Sequence, residues 1–448
     1  MMTAFKKLME TSLPEGEAKL LLESLDTPSP VSIRQHILKA EKELFPGSLP
    51  VPWCPRGRYL EERPVFTLDP RFHAGAYYVQ EASGMSLWQL EPYLQKMKAP
   101  RVLDACAAPG GKSTLLLNIL PGDGLLVSNE IIRPRVPVLA ENLSRWGYAN
   151  VVVTQNDPAA FSVLDGYFDV LVTDVPCSGE GLFRKDPASR SAWSPAQVEL
   201  CAARQRRILS DLWPSLKEGG LLLYSTCTYN RVEDEDQIDW ITDHLGARVI
   251  LGPQKYLPHR IRGEGFFMAL MEKTSKTKNP ERNPLHALRG KSAFSLYSGP
   301  SEGFPKPLNG DYSWSMKHIL LKAFPASLHR EMTTLESVLD VVHSGIAVAS
   351  RKGNDWIPYA DLALATDLNK EAYPNVPLDT SQALAFLRRD SLTFPPDTEK
   401  GYLLLTFDNL PLGFVNNLGN RSNNLHPLSR RILIRPQKNP DGNQHQRS

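Results

Sequence analysis

Cysteine is scarce in this chain: five in 448 residues, Cys54, Cys106, Cys177, Cys201 and Cys227, with no two in a C-x-x-C pair. That spacing argues against zinc and against a disulfide framework, and it suits a reducing compartment. No metal is expected. A dominant charge is missing too, since 51 Lys and Arg stand against 49 Asp and Glu, for a net charge of +2. With 42% hydrophobic residues, such a balance favours packed cores over a disordered chain. No run approaches the ~20 apolar residues of a membrane span. Lys6, Lys7 and Glu10 precede no long apolar stretch, so no signal peptide is expected. The expectation is a soluble, cytoplasmic protein with no membrane partner and no evident obligate protein partner.

What is present is length enough for two to four units, and basic residues that cluster locally. From Phe414 to Ser448 six bases (Arg421, Arg430, Arg431, Arg435, Lys438, Arg447) face one acid, Asp441, and from Met271 to Pro300 the ratio is six to two. A nearly neutral chain can still hold nucleic acid through such patches. Residues 1–72 read as a small helical N-terminal lead-in ending in a Pro- and Gly-broken patch. Residues 73–272 alternate strand-like runs (Arg101–Ala105, Gly124–Asn129, Asn150–Thr154, Phe168–Asp174, Leu221–Thr226) with helical stretches after Gly111, after Pro134 and from Pro195 to Leu216. The last has Ser194 as N-cap, Pro195 at the first helical position and Gln197 for a capping box. Such alternation predicts an α/β fold, a Rossmann-like parallel sheet covered on both faces. Residues 273–310 read as a linker, 311–375 as a small α+β domain with a helix over Met316–Phe324 and a strand over Gly345–Ser350. Residues 376–448 form a further part, with a helix over Asp379–Arg388 and strands over Gly401–Phe407 and Pro411–Leu418.

Val102-Leu-Asp-Ala-Cys-Ala-Ala-Pro-Gly-Gly-Lys-Ser-Thr114 is a strand, a Gly-bearing turn and a helix start, placed where doubly wound sheets bind ligands. A P-loop would need a glycine where Cys106 stands, and the G-x-G-x-x-G of a dinucleotide loop is absent. A methyl donor carrying adenosine fits better. Glu130 ends the second strand, where an acid can take the ribose hydroxyls, and Asp157 follows the third, where one can take the adenine amine.

Two further strands end in cysteine: Asp174-Val-Pro-Cys177 and Ser225-Thr-Cys227. A lone buried cysteine is usually a small hydrophobe; two at adjacent strand ends suggest chemistry. Cytosine C5 is a poor nucleophile until a thiolate adds to C6, so covalent catalysis divides one hard step into easier ones. A nearby positive charge, such as a donor sulfonium, favours that thiolate. Asp174, near the ring N3 and amino group and partly protonated, is the candidate to stabilise the adduct.

His73-Ala-Gly-Ala-Tyr-Tyr-Val-Gln-Glu81, Asp104–Lys112, Asp174-Val-Pro-Cys-Ser-Gly-Glu-Gly-Leu-Phe-Arg-Lys-Asp186, Ser225–Thr228 and Gly263-Glu-Gly-Phe-Phe267 together resemble the RNA cytosine-C5 methyltransferases of the Sun/Fmu type, and nearly the whole chain resembles their RsmF-like ribosomal RNA branch. The resemblance implies an S-adenosyl-L-methionine site formed by Cys106, Ala107, Ala108, Pro109, Gly110, Gly111, Lys112, Glu130, Arg135, Asp157 and Asp174. It implies that Cys227 attacks and Cys177 assists product release. It also implies that residues 1–72 bind RNA and that Pro411–Pro427 belongs to a PUA-like RNA-binding part. The partner expected is RNA, ribosomal or the small ribosomal subunit; transfer RNA and a non-catalytic RNA-binding role are the alternatives. One departure follows the nucleophile: Val232-Glu233-Asp234-Glu235 stands where the family usually has Glu-Glu-Asn-Glu.

Overall fold

The computed structural model of the chain describes residues 2–276, 296–297 and 306–434. Most of the expected linker 273–310 and the tail bases Arg435, Lys438 and Arg447 lie outside the described residues. At the centre is an eight-stranded sheet. It contains β5 (Arg101–Asp104), β6 (Leu125–Asn129), β7 (Val151–Thr154), β8 (Phe168–Asp174), β9 (Leu216–Thr226), β10 (Ala247–Tyr256), β11 (Phe266–Lys273) and β15 (Val341–Ser344). Their order is β10-β11-β9-β8-β5-β6-β7-β15. β9-β8-β5-β6-β7 run parallel, while β11, β10 and β15 add antiparallel edges. Apolar residues face both ways along the parallel strands. Val151, Val153, Val170 and Val172 join one core, and Val152, Leu171 and Leu222 the other. Burial on two faces is why these strands read as unbroken apolar runs. The order reverses at β5, so the ends of β5 and β8 form the crevice where ligands bind such sheets. The helices Gly111–Ile119, Val136–Trp146 and Pro195–Leu212 cover the sheet. Ser194 Oγ accepts from the Gln197 amide at 3.3 Å, the N-cap half of the expected box.

The N-terminal part differs from the expected helical lead-in. After helices Met2–Ser12 and Glu17–Ser24 comes an antiparallel sheet in the order β2 (Leu49–Val51), β3 (Cys54–Leu60), β1 (Val31–Gln35), β4 (Tyr77–Val79). Central β1 buries Ser32, Arg34 and Gln35 beside Ile33, so it lacks the apolar alternation that marks a strand. β4 extends this sheet past the boundary expected after Phe72.

The stretch Met316–Phe324 is also not a helix. It is a hairpin of β13 (Tyr312–Lys317) and β14 (Leu320–Pro325), turning at His318 with φ 56°. Met316, Leu320 and Phe324 recur every four residues and imitate a helix face. The alternation Tyr312, Trp314, Met316, then Leu321 and Ala323, is what packs into one core. The hairpin lies in the order β12 (Leu296–Tyr297), β13, β14, β16 (Ile346–Lys352), β17 (Asp355–Pro358). Because β15 completes the central sheet, residues 311–375 are not a free-standing unit. The last sheet is β18 (Asn375–Pro377), β19 (Gly401–Phe407), β20 (Leu410–Asn417) and β21 (Ser422–Asn424). Helix Thr380–Leu387 has a full Asp379/Gln382 capping box.

Candidate active site

The turn after β5 begins with Asp104, fully buried at the strand end. Its Oδ2 accepts from Ser113 Oγ at 2.6 Å, which pins the start of the following helix. Burial raises this carboxyl to about 7. Gly110 takes φ 111°, a conformation that side chains disfavour. A Cβ on Gly111 would come 3.3 Å from the Tyr78 ring. The turn therefore offers backbone and small side chains to a cavity of about 290 Å³. Cys106, Ala107, Ala108, Pro109, Gly111 and Lys112 line it, together with Asp174, Lys185, Cys227 and Phe266. Tyr78 and Glu81 reach it from the N-terminal part. Cys106 is not a second reactive thiol: burial, with Asp104, Asp174 and Glu130 around it, holds its proton on.

Asp174, at the end of β8, accepts from Lys112 Nζ at 2.7 Å and from Ser225 Oγ at 3.0 Å. Both of its oxygens are engaged. Burial acts to lower the Lys112 ammonium, but the attraction of Asp174, with Cys227 adding to it, leaves it above its usual value. The cavity thus keeps a fixed cation beside Cys227.

Cys177 and Cys227 meet with their sulfurs 3.1 Å apart. Cys227 lines the cavity on the Lys112 side. Cys177 feels the Glu233 carboxylate, and its hydrogen bond with Cys227 and its burial push it well above the ordinary thiol range. The pair is therefore asymmetric: the Lys112 ammonium stands on the Cys227 side, while Cys177 holds its proton tightly.

The loops carrying the two thiols are locked to each other. Gly181 N–H donates to the Cys227 carbonyl at 2.8 Å, and a Cβ on Gly181 would stand 2.7 Å from that oxygen. Glu233 accepts from the Ser178 amide, Gln205 Nε2 and Asn230 Nδ2, each at 2.9 Å. Asp234 Oδ1 accepts from Thr226 and Thr228 on either side of Cys227, at 2.6 and 3.2 Å, and its Oδ2 meets Lys255 at 3.1 Å. The departure at 232–235 therefore brings its own cation: the buried acid at 234 pairs with Lys255.

Other expected donor residues sit outside the cavity wall. Glu130 is buried at the end of β6, accepts from Ile132 N–H at 2.8 Å and meets Arg135 at 3.2 Å. Arg135 in turn donates to the Ala108 carbonyl at 2.5 Å, so both brace the donor turn. Asp157 caps the turn Pro158–Val163 and meets Arg207 at 3.6 Å on the surface; nothing in these contacts joins it to the cavity. Sequence reasoning missed Tyr78, Glu81, Lys185 and Glu233. Tyr78, Glu81 and Lys185 stand inside the quoted motifs and Glu233 inside the departure at 232–235, but only the structure shows what they touch.

A methyltransferase homolog from Pyrococcus horikoshii has the same core: TM-score 0.52 at 26% identity, covering 60% of this chain and 93% of that one. Fold and site define a Rossmann-like methyltransferase. Three family descriptions then match in order: the N-terminal domain of 16S rRNA methyltransferase RsmF (residues 1–82), 16S rRNA methyltransferase RsmB/F (91–272) and the methyltransferase RsmF PUA domain (373–432). The ribosomal RNA small subunit methyltransferase F of Pectobacterium carotovorum subsp. carotovorum is 32% identical, over 90% of this chain and 89% of its own length. That of Serratia proteamaculans is 31% identical, over 86% and 84%. The chain belongs to the ribosomal RNA small subunit methyltransferase F family. Among the described residues no helix is long and apolar enough to cross a membrane.

Proposed function

We propose that the chain methylates carbon 5 of a cytosine in small-subunit ribosomal RNA, in the cytoplasm, with S-adenosyl-L-methionine as donor and Cys227 as nucleophile. The observation that carries this reading is the thiol pair, 3.1 Å apart, with Cys227 alone of the two on the cavity wall. The residues fit such a donor. Ala107, Ala108 and Gly111 leave room along the turn, and Glu130 stands buried at the end of β6 where ribose hydroxyls would reach it. When bound, the donor supplies an electrophilic methyl group. Lys112 stands as a cation on the Cys227 side and fixes Asp174. Cys227 Sγ bonds to cytosine C6, which makes C5 nucleophilic. Asp174 meets the ring's polar edge. After methylation, water takes the C5 proton, the C5–H electron pair forms the C5–C6 double bond, and the C6–S bond breaks to release Cys227 and restore the ring. Cys177, still a thiol, donates a hydrogen bond to the leaving sulfur.

The test is transfer of a labelled methyl group to small-subunit and transfer RNA, followed by nucleoside analysis. The expected product is 5-methylcytidine in the small-subunit RNA. Cys227→Ala is expected to lower the rate by on the order of 10⁴-fold or more, as loss of a nucleophile does elsewhere. Label on another base, or on transfer RNA alone, overturns the reading.

A further inference from the structure

Away from the thiols, a cavity of about 380 Å³ opens where the N-terminal part, helix Val136–Trp146 and the C-terminal sheet meet. That volume is within the range of small-ligand sites. Its cationic lining is Arg145, Arg430 and Arg431, beside the imidazoles of His73 and His426 and the single acid Glu141. We propose that this junction binds a backbone phosphate of the RNA, on the reading above that the chain acts on RNA.

Three observations support it. Arg430 is held by Asp361 at 2.7 Å through Nη2, yet its Nη1 is buried with no acceptor. Buried guanidinium donors rarely go unanswered, and an incoming oxyanion would answer this one. Arg431 lines the cavity and is exposed, and among the described residues its guanidinium has no hydrogen bond or ion pair. The basic groups also crowd one another. Beyond the effect of burial, Arg430 pushes down both Arg145 and His426, and Arg145 pushes down His73. An anion relieves that repulsion. The site also communicates with the donor turn: Arg145 donates to Asn142 Oδ1, and Asn142 Nδ2 donates to the Pro109 carbonyl at 2.7 Å. An RNA strand held here therefore lies one hydrogen-bonded relay from the donor turn.

The test uses the full chain, a single-stranded fragment of small-subunit ribosomal RNA and, separately, inorganic phosphate. Arg431→Ala is the main variant, because the side chain is exposed and partnerless, and Arg431→Lys restores the charge. Arg431→Ala should weaken RNA binding about tenfold at low salt and make the log–log salt slope shallower by roughly 0.7. Donor binding by calorimetry should be unchanged, and Arg431→Lys should recover most of the slope. At constant ionic strength, phosphate should compete with RNA for the wild type more than for Arg431→Ala. RNA affinity and slope unchanged in Arg431→Ala would overturn the proposal. Phosphate bound by the wild type without any effect on RNA would make this a free-anion site and overturn it equally. A wild type that holds no RNA at any salt would instead remove the RNA reading on which it rests.

Discussion

Around the thiols, burial raises carboxyl groups: Asp104 and Glu180 to about 7 and Asp234 to about 8. Towards the C-terminal junction, burial keeps histidines unprotonated, with His73, His343 and His426 each lowered to about 4. Both regions shed charge as they fold, but they keep different remainders. The first places an ammonium–carboxylate pair, Lys112 and Asp174, on the cavity wall with Cys227. The second retains guanidinium groups that outnumber their acids. A catalytic centre needs one charge in one place, whereas a binding junction needs an excess of one sign.

Their pH dependences should therefore run in opposite directions. The raised carboxyls favour the folded state fully below their ordinary range, and that contribution is lost as pH rises through about 7 to 8. The lowered histidines favour it above about pH 6.5, and theirs is lost as pH falls through about 4. The largest break in the comparison should come from Asp234→Ala. It removes one of the two carboxylates on Lys255, leaving Glu235 at 2.9 Å, and the buried acceptor shared by the Thr226 and Thr228 hydroxyls, a loss of about 3 kcal/mol. Denaturant unfolding would read it. A loss below 1 kcal/mol would show that Asp234 does not hold the nucleophile loop.

Donor affinity comes next. Glu130→Ala removes a buried carboxylate that braces the donor turn through Arg135, and should weaken donor binding by about 1–3 kcal/mol. Asp157→Ala should weaken it less, because that side chain is half exposed and caps a surface turn. Calorimetry on both variants checks the order; the reverse order would place the adenine near Asp157. The smallest effect is expected from His343→Gln. His343 lies on β15 against Ser144, with Nε2 3.4 Å from the hydroxyl. The variant should lose about 1 kcal/mol less stability than the wild type between pH 6.5 and pH 5. Equal losses would show that another group carries the acid-side sensitivity.

The parallel half of the central sheet was legible because its strands are buried on both faces. Their apolar runs stop at Asp104, Asn129, Thr154, Asp174 and Thr226, so the residues that follow had to stand along one edge. That placed both cysteines and the donor turn before any distance was known. The antiparallel parts were less legible. β1 hides polar residues in its core, and the Tyr312–Pro325 hairpin carries apolar residues at two spacings, of which packing against β16 selects the alternate one. The division of labour proposed for the thiols came from the family resemblance, and its physical asymmetry was not legible. It depends on Lys112 and Glu233 lying on opposite sides of the pair, a three-dimensional fact that strand order alone does not supply. Glu130 and Asp157 read alike as acids after strands. The structure separates them, one buried beside the donor turn and the other capping a turn on the surface.

The account rests on Cys227 attacking while Cys177 governs release, and trapping the covalent complex tests this most directly. Purified Cys177→Ala, incubated with donor and small-subunit RNA and run on a denaturing gel, should accumulate a protein–RNA band that the Cys177→Ala/Cys227→Ala double variant lacks. A band formed by Cys227→Ala, or none formed by Cys177→Ala, would contradict the assignment.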